Sequence, residues 1–121
     1  MIGLGTTLRC DLPPRHLWVI VSDPAANAGR VLMVNMTTLR EFCVDDACVL
    51  GPEDFVLLTQ ATTIAYSRAQ AGPVAAIEQL IRDGQFFEVQ KIPAATLAKI
   101  VAGARQSPQL SPAHKKLLAH A

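Results

Sequence analysis

The sequence lacks long apolar runs, a strong charge of one sign and any recognisable targeting segment. Its 121 residues carry 11 basic and 10 acidic side chains, so a net charge of +1 provides neither a global basic field for nucleic acid nor a polybasic run for a membrane. No run approaches the ~18 apolar residues that a membrane-spanning helix needs. The N-terminus lacks the basic-then-apolar order of a signal peptide, so we expect a cytoplasmic protein.

Common catalytic and metal-binding signatures are also missing. No glycine-rich phosphate loop follows a strand, and there is no Gly-x-Ser-x-Gly or His-Glu-x-x-His motif. Three cysteines, Cys10, Cys43 and Cys48, cannot all pair within one chain, and we expect reduced thiols. Cys43 and Cys48 flank Asp45 and Asp46, which resembles half of a metal site. Because no second pair of ligands has suitable spacing, we predict no metal and no other cofactor.

The chain is apolar for its size. Half of its residues are hydrophobic and the mean hydropathy is +0.28. A chain of this length has room for one hydrophobic core, which predicts a single domain over residues 1–121. So much apolar surface on a small protein favours burial against a second copy, and we expect a homodimer.

The first 70 residues are rich in short β-branched runs separated by turn residues. The run at 16–22 is the strongest strand signal, and with the run at 30–38 it predicts an antiparallel hairpin. Several short strands of this kind favour a small barrel or a curled sheet. Strands are predicted at 8–12, 16–22, 30–38, 48–50, 55–58 and 62–66.

Helical spacing dominates the remainder. Pro73 opens a helix that ends at Gly84, and Pro93 opens a second helix that ends at Gly103. Ser111 is the predicted N-cap of a last helix over 113–119, and 86–89 adds a strand. The predicted class is α+β, an antiparallel β-barrel core at 1–70 followed by a mainly helical tail at 71–121.

The predicted hairpin brings polar residues together at one rim. In an antiparallel pair the start of one strand lies beside the end of the other, so His16 should lie near Thr37 and Thr38. With the adjacent Arg15, this set is suited to general acid–base work on a phosphate ester. The same residues also fit a structural role, in which the threonines satisfy the last backbone groups of the strand.

The order of these elements resembles the MazF/PemK/Kid toxin family. In that family an Arg-Pro step leads into an apolar strand ending in Ser, like 16–22, and the next strand ends in a Thr-Thr or Thr-Ser pair, like 31–38. Residues 62–69 resemble the segment in which the family closes its barrel before a C-terminal helix. The resemblance covers about residues 5–70.

The resemblance implies an SH3-like barrel, a homodimer and a cognate antitoxin. Active members cut single-stranded RNA without metal, using the 2′-hydroxyl as nucleophile and leaving a cyclic phosphate. Position by position, the family's strand-leading arginine falls on His16, which would move the proton. Arg15 and Thr37, with Thr38 beside it, would hold the phosphate.

Two further residues could contact RNA, and two departures from the family pattern stand out. Tyr66 offers a ring for base stacking and Arg68 a phosphate contact, although a tyrosine near a strand end more often packs its ring in the core. The family's Arg-x-Asp corresponds to the uncharged stretch 57–59, and its Arg-Pro step is replaced by His16-Leu17. The sequence thus leaves three hypotheses: an endoribonuclease, a non-catalytic barrel that binds protein, and a structural or regulatory domain unrelated to toxins.

Overall fold

The β-branched runs of the sequence form strands, and the runs with helical spacing form helices. The computed structural model describes residues 2–11, 16–39 and 45–120. The strands in these ranges are β1 (Thr7–Cys10), β2 (Leu17–Ile20), β3 (Arg30–Thr38), β4 (Val49–Leu50), β5 (Thr62–Pro73) and β6 (Phe86–Glu88). The α-helices are α1 (Val74–Arg82), α2 (Ala94–Gln106) and α3 (Pro112–Lys115), with 3-10 turns at Pro24–Ala26 and Lys116–His120.

All six strands belong to one antiparallel sheet, in the order β4-β5-β3-β2-β1-β6. The predicted hairpin is confirmed, because β2 pairs with β3 and Leu17 lies opposite Met36. The strand predicted at 86–89 is also present, and it pairs with β1. Within the described ranges the edge strands β4 and β6 do not pair with each other. The sheet and the helices together confirm the α+β class. The sheet does not close within the described ranges, so the predicted barrel is not confirmed.

Both faces of the central strands are buried, which explains their unbroken apolar runs. Val19 and Val34 lie opposite each other and belong to a cluster that includes residues of α2 and the C-terminal turn. Ile20 and Met33 point to the other face, where they pack with residues of α1. The single tryptophan, Trp18, lies half-buried on that second face. The sheet is thus the middle layer between α1 and α2.

Strand β5 is longer than predicted and carries a large bulge. Met33 pairs with Gln70 and Asn35 pairs with Ala65, so residues 66–69 lie opposite the single residue between them on β3. Extra residues on one strand bend it and increase its twist. The bulge continues β5 past the predicted end of the strand, and it places Arg68 on the exposed surface.

The predicted strand at 55–58 is wrong. These residues belong to a turn-rich segment at 51–61, which we call the wall loop. The Asp54 carboxylate accepts a hydrogen bond from the Gly51 N–H at 2.9 Å, which closes a turn just before them. Phe55 and Leu58 are buried while the two residues between them are exposed, so the burial has a spacing of three rather than the alternation of a strand.

The helices follow their predicted starts more closely than their predicted ends. Helix α1 begins directly after Pro73, as expected. Helix α2 continues through Gly103, which was predicted to end it, as far as Gln106. Ser111 caps α3 as predicted, its Oγ accepting from the His114 N–H, but the helix then tightens into a 3-10 turn. No helix in the described ranges is long and apolar enough to cross a membrane.

Candidate active site

A pocket at the open end of the β2–β3 hairpin contains three of the six predicted site residues. Its volume is about 240 Å³, and His16, Thr37 and Thr38 all line it. The pairings of Leu17 with Met36 and of Thr38 with Thr62 bring the start of β2, the end of β3 and the start of β5 side by side. His16 precedes β2 directly, so the antiparallel register is what places its imidazole beside the threonines.

One hydrogen bond of His16 defines what its imidazole can do. Its Nδ1 lies 3.1 Å from the carbonyl oxygen of Met36. A carbonyl oxygen can only accept, so Nδ1 must carry the hydrogen in this contact. In the neutral ring Nε2 is then the nitrogen with the lone pair, which is the state required of a general base. The half-buried side chain is thereby held by the backbone of β3 and lines the pocket.

The opposite wall of the pocket comes from the wall loop. The sequence predicted no site role for its residues, although the resemblance aligned 57–59 with the family's Arg-x-Asp. Leu57, Leu58, Thr59 and Gln60 line the pocket. The Gln60 side-chain amide donates to the Thr38 Oγ1 at 3.1 Å. This contact bridges the two walls and places an amide donor next to a predicted phosphate contact. The position of these residues in the sequence could have indicated their place in the site. Residues just before β5 must lie beside the end of its antiparallel neighbour β3.

The lining is polar and has little formal charge. Among the described residues around the pocket, His16 is the only one whose side chain can carry a charge near neutral pH. Arg15, the predicted phosphate ligand, lies outside the described residues. Thr37, Thr38, Thr59 and Gln60 supply hydroxyl and amide groups instead. Such groups can donate hydrogen bonds to phosphate oxygens, which is what an oxyanion site requires.

A second cavity has a similar size and different chemistry. It has a volume of about 270 Å³, lies between Leu4 and α2, and is lined by aliphatic side chains and Arg105. The Arg105 guanidinium donates to the carbonyl oxygen of Leu118 at 3.1 Å. Among the described residues, neither a nucleophile nor a general base lines this cavity, so the hairpin pocket is the better candidate for chemistry.

Tyr66 belongs to the core rather than to the pocket. Its side chain is 1 % exposed, and its hydroxyl donates to the carbonyl oxygen of Ile100 in α2 at 2.6 Å. Burial raises the pKa of the Tyr66 hydroxyl, chiefly because the phenolate would lose its hydration. A ring enclosed in this way presents no face to a base, so the predicted stacking role does not fit it. Arg68 is exposed and does not line the pocket.

This assignment of Tyr66 predicts a stability effect. Replacing Tyr66 by phenylalanine removes the hydroxyl that donates to Ile100 while keeping the ring. We expect the free energy of unfolding to fall by about 1–2 kcal/mol, the usual effect of losing a buried hydrogen bond. Urea denaturation of Tyr66→Phe and wild type measures the difference. Equal midpoints and slopes would contradict the core assignment.

The residues considered for a metal site have structural partners. Asp45 Oδ2 accepts from the Ser107 hydroxyl at 2.5 Å, and Oδ1 accepts from the Ala47 N–H at 3.0 Å. Cys48 is buried, and the loss of solvent raises the pKa of its thiol. Cys43 lies outside the described residues. The described ranges hold no cluster of three or more histidine, cysteine or acidic residues that could bind a metal ion.

Comparison with solved structures finds a similar fold in two endoribonucleases. An endoribonuclease in complex with its cognate antitoxin, from a mycobacterial species, is 22% identical with a TM-score of 0.55, over 88% of this chain and 93% of that one. A second mycobacterial endoribonuclease is 24% identical with a TM-score of 0.56, over 90% and 92%. No protein family and no curated protein matches the sequence. At these identities the likeness is one of fold, and at that level the resemblance drawn from the sequence is confirmed.

Proposed function

We propose that this protein is a toxin-like endoribonuclease that cleaves single-stranded RNA in the hairpin pocket. The observation that carries the proposal is the arrangement of His16, whose Nδ1 is engaged by the Met36 carbonyl while its ring lines a pocket with Thr37 and Thr38. An imidazole held in one tautomer beside hydrogen-bond donors is suited to transfer a proton near a phosphate. The shared fold of two endoribonucleases supports the same reading.

The proposed chemistry is transesterification within the RNA itself. His16 Nε2 takes the proton of a ribose 2′-hydroxyl, and the 2′ oxygen forms a bond to the adjacent phosphorus. The bond from phosphorus to the 5′ oxygen breaks, and that oxygen receives a proton from the imidazolium. The products are a 2′,3′-cyclic phosphate and a 5′-hydroxyl end. Thr37 and Thr38, with Arg15 and the amide of Gln60, would hold the phosphate oxygens as charge builds on them.

The proposal extends to partners. We infer an SH3-like homodimer in the cytoplasm that is held inactive by a cognate antitoxin. The support is the mycobacterial endoribonuclease that was solved with its cognate antitoxin, together with the high apolar content of this chain. Neither a metal nor an organic cofactor has a role in this scheme, because the nucleophile belongs to the substrate and the base to the protein.

Cleavage in the presence of a chelator tests the proposal. Purified protein is incubated in EDTA with a mixed pool of single-stranded RNA, and the ends of the products are mapped. We expect discrete cuts that carry 2′,3′-cyclic phosphate. A dependence on added divalent metal, or 3′-hydroxyl products, would contradict the proposed chemistry.

One observation favours a second candidate function, a module that binds another protein without catalysis. Val56 and Leu57 of the wall loop are 68% and 39% exposed, and Leu57 lines the pocket. Exposed aliphatic side chains beside a weakly charged pocket suit a peptide as well as RNA. Intact RNA at high protein concentration, with retained binding of an antitoxin peptide, would favour this function.

A further inference from the structure

Asp54 joins the wall loop to helix α2 by polar contacts. Its Oδ1 lies 2.6 Å from the Lys99 Nζ, and its Oδ2 accepts from the Gly51 N–H. Its backbone carbonyl accepts from the buried hydroxyl of Thr96 at 2.5 Å. Both carboxylate oxygens and the backbone carbonyl of Asp54 therefore accept hydrogen bonds. Two of the three bonds come from α2, which lies about forty residues later in the chain.

The charges around Asp54 favour its ionised form. Hydrogen bonds from Lys99 and from the Gly51 N–H lower the pKa of the Asp54 carboxyl, and the bond to Asp54 raises the pKa of Lys99. Lys91 lines the same surface cavity as Asp54, and Glu53 is the adjacent acid. The Asp54 side chain is only 10% exposed while that of Lys99 is 58% exposed. The carboxylate is thus enclosed by its partners, whereas the lysine can be replaced without disturbing a packed core.

The remainder of the wall loop connects Asp54 to the residues that line the pocket. Phe55, next to Asp54, is buried in the core, and Leu58 is buried after it. The Leu58 N–H donates to the Phe55 carbonyl oxygen at 3.0 Å, which fixes the turn between them. Thr59 and Gln60 follow directly and line the pocket. Four residues of tightly turned backbone therefore separate Asp54 from the first polar group that faces the substrate.

We propose that Asp54 is a positioning residue for the candidate active site, which acts by holding the wall loop on α2 so that Thr59 and Gln60 face the pocket. The inference rests on the proposed function, because it assigns the wall loop to the substrate side of that same pocket. Asp54 itself does not line the pocket, so its effect on RNA passes through the loop. Because the Lys99 end of the ion pair is exposed to solvent, the pair contributes little to stability, and the expected effect is on the geometry of the site.

Four variants test the inference. Asp54→Asn keeps the shape and removes the charge, and Lys99→Met removes the partner at an exposed position. Lys99→Arg is the conservative variant that retains the ion pair. Glu53→Gln is the matched control, since it removes a neighbouring acidic charge. Thermal melting first establishes that each variant is folded. If Asp54→Asn does not fold, the inference is tested with Lys99→Met alone.

The kinetic outcome separates positioning from catalysis. We expect Asp54→Asn and Lys99→Met to raise the KM for RNA cleavage about tenfold, because a displaced wall no longer binds the substrate well. Their kcat should change by less than about threefold, since His16 is held by β3 rather than by the loop. Lys99→Arg and Glu53→Gln should stay within about twofold of wild type. Unchanged KM in both disrupting variants would overturn the inference.

A second measurement does not depend on cleavage. The backbone amide resonances of Thr59 and Gln60 report the wall loop directly, whether or not the protein cuts RNA. We expect both resonances to shift in Asp54→Asn and Lys99→Met but not in Glu53→Gln. Unshifted resonances in the disrupting variants would overturn the inference. A wild-type protein that leaves RNA intact would overturn the proposed function, and the resonances would still decide whether Asp54 positions the loop.

Discussion

Replacement of His16 by asparagine is expected to reduce RNA cleavage by about 10²–10⁴-fold, the usual contribution of a general acid–base group. Asparagine is the informative choice because its side-chain amide can still donate to the Met36 carbonyl oxygen, as Nδ1 does in the wild type. Asparagine has no counterpart of Nε2, the ring nitrogen that we assign to proton transfer. The variant should therefore fold normally and still bind RNA, so that the loss falls on kcat.

The matched control for this variant is His114→Asn. His114 is half-buried on α3 and does not line the hairpin pocket, so its replacement removes a histidine without touching the site. Cleavage by the control should stay at the wild-type rate. Loss of cleavage in His16→Asn, purified in the same way, excludes a contaminating nuclease as the source of activity. Equal rates for His16→Asn and wild type would contradict the assignment of His16 as the proton-transfer group.

Replacement of Gly103 by alanine is expected to destabilise the protein by about 1–3 kcal/mol, the range found when extra atoms are forced into a packed core. In most helix interiors the same change stabilises by roughly 0.5–1 kcal/mol. Here an added Cβ would lie 2.6 Å from the Tyr66 hydroxyl oxygen, 2.9 Å from the Cys48 Cβ and 3.0 Å from the Ala47 carbonyl oxygen. Since one of the three is backbone, the contact cannot be relieved by a side-chain rotation alone.

Gly72→Ala is the control for this prediction. Gly72 lies in β5, and an added Cβ there would have no heavy atom within 4 Å. Guanidinium denaturation of the two variants should show a lower midpoint for Gly103→Ala and a midpoint near the wild type for Gly72→Ala. A Gly103→Ala protein as stable as wild type would mean that α2 does not approach Tyr66 of β5 and the residues just before β4 this closely.

The part of the site on the hairpin was predictable because it depends only on two strands that follow each other in the sequence. Continuous apolar, β-branched runs locate β2 and β3, and antiparallel pairing then places His16 beside Thr37 without further information. The roles of these residues are a separate question, which the register alone does not answer. The sequence therefore predicts one wall of the pocket through pairing rules that hold for any hairpin.

For the other wall, the resemblance aligned 57–59 with the family's Arg-x-Asp. The contacts that hold this wall in place could not be predicted, because they are distant in sequence. The Asp54 contacts with Thr96 and Lys99 span more than forty residues, and no local sequence pattern predicts them. The apolar run at 55–58 is typical of a strand by composition, and only the burial of every third residue identifies it as a turn. Close packing around Gly103 and Tyr66 is equally non-local. For this reason the sequence predicted a helix end at Gly103, and for Tyr66 it left both a stacking role and a packed ring open.

Paired substrates that differ at one atom test the central claim most directly. A single-stranded RNA with a mapped cut site is compared, in EDTA, with the same oligonucleotide carrying a 2′-deoxynucleotide on the 5′ side of that bond. We expect the all-ribose strand to be cut to a 2′,3′-cyclic phosphate, and the 2′-deoxy strand to bind and remain intact. Cutting of the 2′-deoxy strand at the same bond would show that the nucleophile is not the 2′-hydroxyl, and would contradict the role assigned to His16.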